Sequence, residues 1–412
     1  MLENSKLAAS DRDPRLDFFR GIAMFIIFVS HTPGNWWINW IPARFGFSDS
    51  TEIFVFCSGM ASAIAFGRIF ETQGLAMGTV RILHRVWQVY WAHIALFFAV
   101  TTLLIGFDRL LETGGSYANG LNLALFFDNA RAAVFGLLTL TYVPNYFDIL
   151  PMYLGMLLMV PLIVWLHWHN PFAPFFLCAA LWIVADYGWL DLPAEPWSDR
   201  TWFFNPFSWQ LVFFTGFAIM RGWLPTPPVR KNWMIACGVV LALCLPFSSH
   251  KWLYDFSDLQ AVISAIKPLT DKTHFGLFRY AHFLALAYLA YSFVTILGPR
   301  FSGSFVDISR KVGQQSLGVF LASLILAQTA GTLLKVIGPS YVLVALVNLM
   351  GFAGLVAVAY VVGWYKSTPW KTAHPIHRYG SPIFTAGPAL LAGAGHSGRT
   401  ENSLAPRISP AE

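Results

Sequence analysis

Asp17, Arg20 and His31 share one apolar stretch, R-L-D-F-F-R-G-I-A-M-F-I-I-F-V-S-H, and are the first residues in the chain with evident chemical potential. Eleven residues of α-helix turn through about 1,100°, so Arg20 and His31 lie within about 20° of one face and roughly 16 Å apart along the axis. Asp17, three residues before Arg20, shares that face. The stripe offers an anion anchor at one level and a proton acceptor at another. A snorkelling arginine and a histidine bonded to a neighbouring helix are the plainer alternative.

A second group follows in F-S-D-S-T-E-I-F-V-F-C-S-G-M, where Asp49 and Glu52 reach the level of His31. A carboxylate there can orient an imidazole and stabilise its cation, or it can cap the helix it opens. In R-I-L-H-R-V-W-Q-V-Y-W, Arg81, Arg85 and Gln88 recur at i, i+4 and i+7 on one face. Two guanidiniums on one face suit a phosphorylated ligand or lipid headgroups. Polar and aromatic residues also gather at helix entrances: Asn145 and Asp148, then Asn205, Trp209 and Gln210, then Asp271, Lys272, His274, Arg279 and His282. Aromatics beside amides and acids suit sugar faces and hydroxyls; an aromatic belt with helix caps is the alternative. The other histidines are scattered, and the four cysteines (Cys57, Cys178, Cys237, Cys244) form no C-x-x-C pair, so no metal site is expected.

The elements that must position these groups follow from composition. Of 412 residues only 12% are charged and 56% are hydrophobic, about half the charge of a soluble domain. That excludes a soluble globular protein and a disordered one, and leaves a bilayer as the solvent. Apolar runs of about 17–25 residues predict an all-α polytopic membrane protein with ten spans near 16–33, 52–69, 83–106, 148–168, 172–190, 208–221, 232–248, 276–297, 315–335 and 341–364. Trp36, Trp37 and Trp40 read as an interfacial belt.

The stretch 121–142 is apolar but carries Asp128, Asn129 and Arg131. If it does not cross, the loops 68–85, 221–231 and 300–311 share a side and hold nine basic residues against two acidic. The opposite stretches then hold eight basic and eleven acidic residues. This asymmetry follows the positive-inside rule, puts both termini in the cytoplasm, and makes 121–142 a re-entrant or interfacial outer helix. The organisation is therefore a segment 1–15, a membrane domain 16–365 and a polar, mostly disordered cytoplasmic tail 366–412. The net charge of +6 forms no concentrated tract, so membrane lipids rather than nucleic acid are the expected surroundings.

The pair Arg20 and His31 resembles the R-x10-H signature of the acyltransferase-3 superfamily of membrane O-acyltransferases. E-I-F-V-F-C-S-G is similar to that superfamily's acidic-F-F-x-x-S-G stretch, with Glu52 at the acidic position. Arg81 and Arg85 followed by Tyr90 resemble its third-helix entry, with Gln88 where proline is usual. The blocks R-D-P-R-L-D-F-F-R-G, H-T-P-G-N-W-W, F-S-D-S-T-E-I-F-V-F-C-S-G and D-K-T-H-F-G resemble the OpgC branch over roughly residues 11–365. That resemblance implies O-acylation, with succinyl the expected group, of a periplasmic glucan or other glycan by a multi-pass protein of the bacterial inner membrane. Acyl-CoA, with succinyl-CoA expected, would be a co-substrate, and no tightly bound cofactor is implied.

On this reading Arg20, Arg81, Arg85 and Gln88 hold the acyl-CoA. His31 takes the proton from the acceptor hydroxyl, and Glu52 or Asp49 orients it. Asn145, Asp148, Asn205, Trp209, Gln210, Asp271, Lys272, His274 and His282 line the acceptor mouth. A polytopic transporter that moves a polar solute along the same stripe is the competing class. The sequence leaves the oligomeric state open.

Overall fold

Pro14 can open the first helix because the N–H it lacks would have no partner there, and Asp13 before it accepts from the Arg15 N–H at 2.9 Å. The helix ends where Thr32 turns extended ahead of Pro33. The computed structural model describes residues 13–248 and 257–371; among these the regular elements are all helical, with one isolated β-bridge between Pro193 and Thr201. The chain divides into a unit Met1–Ser367 and a second unit Thr368–Glu412. Of the second, only residues 368–371 are described, with a 3-10 turn at Pro369–Lys371. The expected segment 1–15 and tail 366–412 therefore lie mostly outside the described residues.

In chain order the helices are α1 (Pro14–His31), α2 (Ser50–Leu110), α3 (Ser116–Gly120), α4 (Ala124–Asp128), α5 (Ala130–Thr139), α6 (Ile149–His169) and α7 (Ala173–Asp186). Then come α8 (Pro206–Met220), α9 (Lys231–Ser248), α10 (Ser257–Thr270), α11 (Leu277–Leu297), α12 (Ser304–Gln314), α13 (Ser316–Ile337) and α14 (Tyr341–Lys366). Six of them, α2, α6, α9, α11, α13 and α14, are long and apolar enough to cross a bilayer. The protein is an all-α polytopic membrane protein.

Each of the ten expected spans falls on a helix, two of them on the halves of α2. This 61-residue helix breaks at Gly74, whose φ of 80° is left-handed and open to glycine at little cost. The Phe70 ring packs where a Cβ on Gly78 would stand. Along a straight helix eight residues span about 12 Å, so the chain folds back at Gly74. Two expected spans fall on short helices: α7 and α8 hold 14 and 15 residues, about 21–23 Å of helix.

The stretch 121–142 does not form one helix. Its longest piece, α5, has ten residues, about 15 Å or half a hydrocarbon core. Both flanks are tied to the same end of the bundle. Lys335 Nζ donates to Ser116 Oγ at 2.9 Å, Asn122 Nδ2 to Glu195 Oε2 at 3.0 Å, and the Val143 N–H to the Ala194 carbonyl at 2.8 Å. The segment therefore holds no helix long enough to span the hydrocarbon core.

Two helices lie where loops were expected. The helix α10 occupies part of 248–275, and α12 covers most of the basic loop 300–311. The sequence of α12, S-F-V-D-I-S-R-K-V-G-Q, has too few apolar residues to read as a span. It buries Ser309, Val312 and Gly313 against α1. A side chain on Gly21 would collide with the Ser309 carbonyl, and one on Gly313 with that of Asp17. Paired small residues let the backbones meet, as is common between membrane helices, and this crossing fixes the stretch that carries Arg20.

Candidate active site

His31 is the last residue of α1, and its ring is held by its own helix. Nδ1 lies 2.7 Å from the Ile27 carbonyl and 3.1 Å from Ser30 Oγ. A carbonyl oxygen can only accept, so Nδ1 carries the hydrogen and Nε2 of the neutral ring keeps its lone pair. The Gln328 amide donates to the His31 carbonyl at 3.3 Å and holds the helix end. The ring of Tyr146 stands edge-on to His31, centroids 4.8 Å apart.

Asp49 and Glu52 form a capping box on α2. The Thr51 N–H donates to Asp49 Oδ1 at 2.7 Å, and the Asp49 N–H to Glu52 Oε2 at 2.7 Å. Their remaining oxygens bind cations from the region around α11: Asp49 Oδ2 pairs with Lys272 Nζ, and Glu52 Oε1 with Arg279 Nη1 at 2.6 Å. The expectation that one of them orients His31 is thus corrected. The Ile27 carbonyl does this, and both carboxylates are engaged by caps and cations. Burial disfavours the Asp49 anion, but Lys272, Arg279 and the Thr51 N–H outweigh it and hold this carboxyl well below the ordinary range.

The loop 271–276 that delivers Lys272 is clamped. His274 Nε2 meets Asp191 Oδ1 at 2.9 Å, its Nδ1 stands 3.3 Å from Asp271 Oδ2, and its N–H donates to Asp271 Oδ2 at 2.7 Å. The hydrogen bond that the ring donates to Asp271, opposed by burial and joined by Asp191, pushes His274 up to about 9. Asn205 Nδ2 donates to Asp191 Oδ1 at 3.0 Å, and Trp209 Nε1 to the Lys272 carbonyl at 2.9 Å.

These contacts change the expected acceptor set. Asn205, Trp209, Gln210, Asp148 and His282 are buried rather than open to a mouth. Asn205 and Trp209 support the loop, and Gln210 Nε2 donates to the Cys178 carbonyl at 2.7 Å. Asp148 accepts from the Phe203 N–H at 3.3 Å, and His282 Nδ1 sits 2.7 Å from Ser48 Oγ. Asn145 is exposed, and Asp271, Lys272 and His274 are half-buried. Tyr146, missed in the sequence, is the group set directly against His31. Its signal was its place one residue after Asn145 in a turn-forming P-N-Y.

Arg20 lies on the same helix toward the other end, bonded to Ser316 Oγ in the first turn of α13. Arg85 Nη1 donates to Gln88 Oε1 at 3.2 Å, and Gln88 Nε2 stands 3.0 Å from His84 Nε2. Trp87 and Trp91 are exposed beside this row. Among the described residues no three His, Cys, Asp or Glu side chains are grouped to hold a metal ion. Cys57 and Cys178 are buried free thiols.

A protein-family model described as OpgC protein matches residues 12–367, nearly all of the described chain. The chain therefore belongs to the OpgC family, whose general activity is glucan acyl transfer. No curated protein and no solved structure matches it.

Proposed function

We propose that this OpgC-family protein transfers an acyl group, succinyl in the first instance, from acyl-CoA on the cytoplasmic side of the bacterial inner membrane to a hydroxyl of a periplasmic glucan. The observation that carries the chemistry is the tautomer of His31. With Nδ1–H spent on the Ile27 carbonyl, Nε2 is the nitrogen that keeps a lone pair, beside Tyr146. His31 Nε2 takes the acceptor's hydroxyl proton as the oxygen attacks the thioester carbonyl. The carbon–sulfur bond then breaks, and the imidazolium returns the proton to the departing thiolate. Asp49 and Glu52 act through Lys272 and Arg279, fixing the cations that balance charge around the base.

Arg20 aligns the donor along the α1 face, and Arg81, Arg85 and Gln88 receive the nucleotide phosphates. Asn145, Lys272 and His274 face the acceptor, with the half-buried Asp271 and the buried Asn205, Trp209, Gln210, Asp148 and His282 shaping the wall behind them. The excess of basic residues in one set of loops supports both termini lying in the cytoplasm. Mass spectrometry of periplasmic oligosaccharides from cells making the wild type or His31→Gln tests the reading. A fixed mass added per substitution, present with the wild type and absent with the variant, supports it and names the acyl group. Equal acylation in both refutes His31 as the base.

A further inference from the structure

The turn that carries Tyr146 is built against its own residue. Residues 144–147 close through a hydrogen bond from the Phe147 N–H to the Pro144 carbonyl at 3.1 Å, with Tyr146 in third place at a φ of 71°. A turn needing a left-handed third residue is served at least cost by glycine or asparagine. A bulky aromatic there is held by its surroundings, and such backbone strain gathers at ligand clamps and active sites. The flanks supply the hold: Tyr142, Val143, Pro144, Phe147 and Asp148 are all buried. Only Asn145 and Tyr146 of this run are exposed, Tyr146 to 41%, and its ring stands edge-on to His31 at 4.8 Å. An apolar reason for the strain would bury the ring. Here the ring is left accessible next to the base.

We propose that Tyr146 is the stacking platform for the acceptor sugar. One pyranose ring would lie on the free face of the tyrosine with a hydroxyl toward His31 Nε2, while the Asn145 amide bonds a neighbouring hydroxyl. A sugar's C–H face matches an aromatic ring and its rim of hydroxyls matches an amide, so the fitting ligand class is a neutral hexose oligomer. The proposal rests on the acyl-transfer reading above.

The test uses purified full-length protein and a neutral gluco-oligosaccharide, by calorimetric binding and by transfer from succinyl-CoA. Tyr146→Leu is expected to weaken oligosaccharide binding and raise the acceptor KM about tenfold, the scale of one well-placed aromatic contact, with a smaller change in kcat. Tyr146→Trp should restore both. Tyr146→Gly should bind as weakly as Tyr146→Leu yet melt at a higher temperature than it, because glycine relieves the turn. Unchanged binding in Tyr146→Leu, a loss confined to kcat, or no binding by the wild type would each overturn the platform. Oligosaccharide binding by His31→Gln separates the two readings, since it should persist if Tyr146 stacks the sugar, whatever the identity of the base.

Discussion

The two ends of the helical unit treat charge in opposite ways. At the His31 end acids and bases meet: Asp49 with Lys272, Glu52 with Arg279, Asp191 and Asp271 with His274, Glu195 with Arg200. At the other end bases prevail. Arg310 has Asp307, and Arg221 has Glu71. From Ile308 to Lys371, however, the chain contains no Asp or Glu, while Arg310, Lys311 and Lys366 lie at or near the C-terminal ends of their helices. Pairing in a low dielectric costs desolvation and gains fixed geometry, as a reaction centre requires. A surplus of basic over acidic groups attracts anions over a distance, the property that a collector of phosphorylated donor and anionic lipid would need.

The sharpest way to break the contrast is to remove His31, the proposed base. His31→Gln keeps a hydrogen-bonding side chain without a useful proton acceptor, and acyl transfer should fall roughly 10²- to 10⁴-fold. Insertion, melting temperature and acyl-CoA binding should stay near wild type. Near-normal turnover would move the proton to another group.

Next in size is the buried pair. Glu52 is fully buried and Arg279 nearly so, and removing one partner leaves the other charge stranded. Glu52→Gln should destabilise the protein by about 3–5 kcal/mol, read as a lowered denaturation midpoint in detergent. Replacing both, with Arg279→Met added, should cost clearly less than the sum of the single changes. Additive losses would mean the two side chains do not act as a pair.

These residues also mark what the sequence could reveal. The Arg20–His31 stripe was legible because both residues ride on one helix, where spacing alone sets the face. The capping box was legible as an alternative for the same reason. The partners of Asp49 and Glu52 were not, because they lie 223 and 227 residues away and no local period links them. Trp209 and Gln210 looked like mouth residues by composition, yet the backbone of 271–276 and Cys178 use their polar atoms internally. The helix α12 escaped because apolar runs were the criterion, and a helix that lies across glycines needs few large apolar residues. That 121–142 breaks into short helices was suggested only by Asp128, Asn129 and Arg131 in its middle and by charge summed over several loops.

A smaller effect tests the collector. Arg81 is exposed and Arg85 half-buried on one face of α2, so each interaction is screened by solvent and salt. Arg85→Ala should raise the KM for acyl-CoA several-fold with little change in kcat, since a remote handle binds ground and transition states alike. The wild-type KM should rise with ionic strength, more steeply than in the variant. An unchanged KM would give this face to lipid headgroups, with the exposed Trp87 and Trp91 beside it.

The smallest expected effect is a pH dependence at the loop clamp. His274 has its pKa raised to about 9 by the hydrogen bond it donates to Asp271, opposed by burial and joined by Asp191. In the unfolded chain it titrates near 6.5. A raised histidine stabilises the folded state fully below the unfolded value, and that contribution is lost as pH rises through the folded value. The clamp should therefore hold across neutral pH and loosen between about pH 8 and 10, freeing the loop that presents Lys272. His274→Gln keeps a donor but cannot carry charge, so its melting temperature should be lower than wild type at pH 7 and converge with it by pH 10. The convergence is the decisive measurement, because aspartates that stay ionised over this range cannot produce it. Parallel melting curves from pH 7 to 10 would show that His274 is held neutral and that the charge balance of this end does not extend to the loop.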